Sequence, residues 1–215
     1  HIPMQQDAAG GHAYVLLCAY HKFGDPRYLE HCKSALEALI SQKESRFYEA
    51  LLPLGVYVAA YLNATEGTNY NVSKLFDWVF DGCQSSSGRT GWGIIVGKWG
   101  DYDVSGLQGS ITDGGGYAFL MNSIKPAWPF IPLVKYQPEY AKAIGKWMLN
   151  NSSACRLFYP GDIDEKHQWA PELKNITNNN VSYEGLRKAD DYGKESLKGV
   201  SPVAIGDGPK WIEGN

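Results

Sequence analysis

The chain has 215 residues, 44% of them hydrophobic and 20% charged, with a formal net charge of −3. Those values describe a globular protein able to bury a sizeable core as one domain or slightly more. They supply no electrostatic reason for nucleic acid or an anionic membrane to bind, no Lys/Arg cluster offers a local one, and no apolar run approaches the roughly 20 residues of a bilayer-spanning helix.

Taken in order, Asp7 precedes a run of small residues and predicts a helix start. Residues 11–23, GHAYVLLCAYHKF, are apolar around most of a helical circumference and predict a helix buried on more than one side. Gly24, Asp25 and Pro26 stop it, and Pro26 opens a second, amphipathic helix with Tyr28, Leu29, Cys32, Leu36 and Leu39 at helical spacing. The short connection makes the two an antiparallel hairpin. The pattern returns in residues 48–63, YEALLPLGVYVAAYLN, followed by the amphipathic NVSKLFDWVFDG, with Tyr14 and Tyr57 in equivalent places. A third copy begins at Tyr117 with GYAFLMNSI, and its outer helix starts at Pro138 as the first copy's does at Pro26. Each copy pairs an inner helix rich in Gly, Ala, Val and Tyr with a charged outer helix, and such a hairpin buries its inner helix only when others stack beside it.

Between the second and third copies lies a Gly-rich loop, residues 82–116, with eleven glycines among Trp92, Trp99, Asp101, Tyr102, Asp103 and Asp113. Flat aromatic faces and carboxylates on a permissive backbone predict a binding surface. After Cys155 the periodicity is lost. Residues 156–215 predict an irregular covering segment or tail, in which only EGLRKADDYGKESL could hold a short charged helix. The first residue, His1, and the ending GDGPKWIEGN lead us to expect a piece of a longer protein with further domains. Cys18, Cys32, Cys83 and Cys155 lack metal or redox spacing and read as small buried residues, with a Cys18–Cys32 bridge as an alternative. Asn63, Asn71, Asn150, Asn151, Asn175 and Asn180 each begin an N-x-S/T triplet, which is either a glycosylation acceptor or a chance product of an Asn-rich chain.

The inner-helix phrases GHAYVLLCAY, GVYVAAYLNA and GYAFLMNS, with outer helices beginning DPRYLEHC and QPEYAKAI, resemble the α/α toroid proteins of six-hairpin glycosidase-like, terpenoid-cyclase-like and polysaccharide-lyase type. The resemblance covers about residues 10–155. It implies a mainly α fold of tandem helical hairpins forming part of a toroid, a carbohydrate ligand, and an extracellular or periplasmic location. No catalytic motif of a named family is matched, so it transfers no catalytic residue.

Glycoside hydrolysis calls for two carboxylates about 5–10 Å apart across a sugar. Asp113, standing before Gly114 and the helix opened by Tyr117, is the prospective acid or base and Asp103 the second carboxylate; the alternatives are a helix cap and a turn. Trp92, Trp99 and Tyr102 are the expected subsite walls, against the alternative that the tryptophans pack on backbone. A lyase would take Tyr117 or His167 as base, and His167, beside Asp162, Asp164 and Trp169, could form a second wall. His12 and His21 read as packing or surface residues. No cofactor or metal is expected. Two functions follow: a glycoside hydrolase or polysaccharide lyase acting on an oligosaccharide or polysaccharide, or a non-catalytic module that binds glycan or scaffolds other domains. Carboxylates facing each other across a cleft favour the first, and carboxylates tied up in caps favour the second.

Overall fold

The computed structural model describes residues 7–45, 47, 50–83, 91–110, 116–159, 162, 180–189 and 196–204. The protein is mainly helical, with a small antiparallel sheet. Helix α1 (Ala8–Phe23) ends at Gly24, whose φ of 69° turns the chain and whose N–H donates to the Tyr20 carbonyl. Helix α2 (Pro26–Ile40) starts on the Asp25 cap, which accepts the Arg27 backbone N–H. Helix α3 (Leu51–Thr65) follows, then α4 (Val72–Asp81), capped by Asn71 accepting from the Lys74 N–H. The two predicted hairpins are therefore present, with α2 packed on α1 and α4 on α3.

Helices α1 and α3 pack together through glycine. A Cβ on Gly10 would stand 2.7 Å from the Leu51 carbonyl oxygen, and one on Gly55 would stand 3.0 Å from the Gly10 Cα. The close approach brings Tyr14 and Tyr57 into edge contact, ring centroids 6.2 Å apart. Helix α3 buries residues around its circumference, including Leu52, Val56, Val58, Ala59, Ala60 and Leu62. Helix α1 departs from expectation, since it leaves Val15 and Phe23 exposed.

The third copy differs more. Tyr117 does not open a helix: Tyr117–Ala118 form strand β5, and the helix begins at Leu120. Gly116, at φ 114°, sets the chain in an extended path that pairs with neighbouring strands. Helix α5 (Leu120–Ile124) leads into α6 (Ala127–Leu133), and after a 3-10 turn at Pro138–Tyr140 comes α7 (Ala141–Ala154), which ends in a second 3-10 turn, Cys155–Phe158.

The predicted loop 82–116 holds short strands: β1 (Trp92–Ile94), β2 (Lys98–Trp99), β3 (Tyr102–Asp103) and β4 (Gln108–Ser110). The predicted irregular tail contributes β6 (Asn180–Ala189) and β7 (Ser196–Ala204), so the described residues of the charged helix expected over 184–197, namely 184–189 and 196–197, are strand. Gly185 weakens a helix at that point, β6 shifts register against β7 between Ser182 and Gly185, and Leu186, opposite Ala118 on β5, is fully buried. The order β1-β4-β5-β6-β7 is antiparallel throughout, and β2-β3 form a separate hairpin. Two cores result. One fills the helices and includes Trp92; the other, around Ile95, Trp99, Val104, Leu107, Leu157, Phe158 and Leu186, lies where the sheet meets the end of α7. Among the described residues no helix is long and apolar enough to cross a membrane.

Candidate functional site

The residues singled out in the Gly-rich stretch divide between the two cores. Trp92 is buried in the helical core, its ring 5.9 Å from that of Tyr117, and Trp99 is buried in the sheet core. Neither presents a face on which a sugar could stack, so the packing alternative holds for both: with glycines beside them, the indoles cover backbone and fill volume. Tyr102 pairs with Trp99 across β2–β3 and packs, half-buried, against the same core.

Asp103 is exposed, and its Oδ1 accepts the Ser105 backbone N–H at 2.9 Å. The Ser105 hydrogen bonds, side chain first and backbone second, hold its carboxyl below the usual range, with Lys98 opposite it adding to the effect. A carboxylate held ionised in an Asx turn is unsuited to general acid work. Tyr117 is half-buried between Trp92 and Phe119, with the Arg187 guanidinium 4.2 Å over its ring, which occupies a face a substrate would need. Asp113 and His167 lie outside the described residues. The four cysteines are free thiols, which removes the Cys18–Cys32 bridge; Cys32 and Cys83 are buried as expected, whereas Cys18 is exposed. Among the described residues no three His, Cys, Asp or Glu side chains converge as a metal site requires.

A concave site exists elsewhere. A cleft of about 560 Å³ opens between the end of α3, the turn leading into α4, and the connection from α6 to α7, lined by Asn63, Asn69, Tyr70, Asn71, Val72, Ser73, Gln137, Glu139 and Tyr140. Part of that lining is structural. Asn63 Oδ1 accepts from the Tyr70 N–H and the Thr68 hydroxyl while its Nδ2 donates to the Tyr70 carbonyl, which folds residues 63–70 into a fixed turn. Asn71 Oδ1 caps α4 and also accepts from the Ser73 hydroxyl. The Tyr140 ring stacks on Phe76 at 4.3 Å. Tyr70 donates to Glu37, and burial, followed by that carboxylate, pushes its phenol up to about 12. Tyr140 is raised by burial and by Asp77, so both phenols keep their protons at neutral pH and act as donors.

Asn69, Gln137 and Glu139 complete the wall, and none of the three side chains hydrogen-bonds another described residue. Two amides, one carboxylate and two protonated phenols form an array that can donate to and accept from a hydroxyl-rich molecule. Prediction from sequence missed this site because it is assembled from two turns about seventy residues apart; the available signal was the pair of polar, Tyr-bearing connections TNYNVS and YQPEY.

The triplets separate in the same way. Asn151 is buried, its Nδ2 donating to the Gly106 and Ser123 carbonyls, and Asn63 has both amide atoms bonded, whereas Asn71 and Asn150 are exposed. Comparison with known family models, characterised proteins and solved structures finds no match for the chain.

Proposed function

We propose that the chain is a non-catalytic glycan-binding module built on an arc of an α/α toroid, and that the cleft between the 63–73 turn and the 137–140 connection takes a neutral oligosaccharide. The observation that carries this is the cleft lining: amides and phenols, with one carboxylate. Hydrolysis needs two opposed carboxylates, and several of the described ones are occupied otherwise, Asp25 as a cap, Asp103 in a turn, Glu66 with Lys33, Glu37 with Tyr70 and Asp162 with Arg156. The packing of α1 against α3, with α2 and α4 laid on them, supports the arc. Glu139 repels a carboxylate, which favours neutral sugars over uronic ones.

The test is a calorimetric titration with neutral and uronic oligosaccharides, repeated on the Asn69→Ala/Gln137→Ala double variant. Saturable heat with a neutral sugar, lost in the variant while its melting midpoint is kept, supports the proposal. Flat titrations across the panel, or heat that the variant retains, sink it.

A further inference from the structure

The overall negative charge conceals an uneven distribution. Residues 116–159 carry five basic side chains and one acidic, a net of +4, against fifteen and twenty-two, a net of −7, in the rest of the chain. The same region exposes large apolar side chains. Trp128 is 81% exposed, Leu149 73%, Ile131 53% and Ile124 52%, with Met148 also in solvent. Ile124, Trp128 and Ile131 follow one another at four and three residues, which puts them on one side of the nearly continuous α5–α6 helix. The Asn151 Nδ2 donates to the Ser123 carbonyl and the Trp147 ring meets Phe130 at 5.7 Å, so residues 123–130 run alongside 147–151. Met148 and Leu149 therefore lie at the level of Ile124 and Trp128. Lys125, Lys135, Lys142 and Lys146 are all exposed around them.

We propose that this face of α5–α7 is a peripheral docking surface for an anionic lipid membrane. Aliphatic side chains and an indole enter the headgroup boundary, and lysines on flexible stems reach the negative headgroups. Charge complementarity selects this occupant. A second copy would bring one positive face against another, and a nucleic acid would gain little from a surface whose apolar part holds a single aromatic ring. Such docking places the chain on a bilayer and not across it.

The full chain is mixed with vesicles of phosphatidylcholine alone and of phosphatidylcholine with phosphatidylserine, and the bound fraction is measured by sedimentation at low and raised salt. We expect binding to the mixed vesicles only, weakened by salt, and lowered about tenfold or more in Trp128→Ala and in Lys142→Glu/Lys146→Glu. Both variants change exposed residues and should keep the parent melting curve; Leu149→Ser serves as a second apolar substitution. Absence of binding to mixed vesicles, or equal binding by parent and variants, overturns the proposal. So does self-association by light scattering that depends on Trp128 without vesicle binding, which assigns the face to a second copy, and so does preference for single-stranded RNA over vesicles.

Discussion

Asn151 ties together three parts of the chain through one amide. Its Nδ2 meets the Gly106 carbonyl at 2.8 Å and the Ser123 carbonyl at 2.6 Å, and Trp147 Nε1 donates to the same Gly106 oxygen at 3.0 Å. Replacing Asn151 by Ala takes this donor from the Ser123 carbonyl and leaves the Gly106 carbonyl with Trp147 Nε1 alone, and chemical denaturation should show a loss of about 1–3 kcal/mol. Gly106 is constrained from the other side, with φ at 94° and a prospective Cβ 2.6 Å from the Asn151 nitrogen, so Gly106→Ala should cost about 2 kcal/mol or more in the same measurement. The buried tryptophans give a third outcome at this scale. Trp92→Ala and Trp99→Ala should each lose about 3–5 kcal/mol of stability, and at a temperature where the variants remain folded they should leave oligosaccharide binding intact. Loss of binding with unchanged stability would return the ligand to the Gly-rich stretch.

The helices were the legible part of this protein, for reasons that differ between elements. Helices α2 and α4 announce themselves by an apolar stripe, and α2 also by Pro26 in its first turn, whereas the caps that Asp25 and Asn71 supply were not among the expectations. The strands from β1 to β5 are two or three residues long, too short for alternation to register, and their pairing depends on partners up to about seventy residues away. Tyr117 was misassigned for that reason, since its own neighbourhood reads as helix and only Arg187 and Ser110, across the ladder, make it strand. The cleft was illegible for a related reason: each half is an ordinary polar turn, and the lining exists only once α3 and α7 bring the turns together.

The tyrosines between the inner helices set the behaviour of those elements with pH. Burial, and then Tyr136, pushes Tyr57 from 10.0 up to about 12, while burial pushes the Cys32 thiol between α1 and α2 from 9.0 up to about 11. Both groups hold their proton more tightly when folded. The stability each contributes is whole below its unfolded value and is lost as pH rises through the folded one. The melting midpoint should therefore fall progressively as pH is raised from about 9 toward 12, and Tyr57→Phe should flatten the part above pH 10.

Over the whole molecule, the four thiols report on how much of the chain opens at once. Cys18 is exposed, Cys155 is half-buried with its thiol raised to about 12 by burial, and Cys32 and Cys83 sit in the helical core. A thiol reagent added to the native protein should label Cys18 promptly, Cys155 slowly, and Cys32 and Cys83 at the rate of global unfolding. Equal labelling of Cys32 and Cys18 would mean that α1 and α2 separate locally.

The register of β5 against β6 has a further consequence, for the order in which the protein assembles. Joining Tyr117 to Arg187 closes a span of seventy residues, whereas the α1–α2 and α3–α4 hairpins close over a few. Contacts so distant along the chain form late, because the entropy of bringing their ends together must be met before any pairing rewards it. During synthesis the helical part can mature while β5 still waits for its neighbour, with one strand edge open. In that interval an identical edge on another nascent chain is a competing partner, so the C-terminal hairpin, which carries none of the cleft residues, decides whether the chain stays single while it folds.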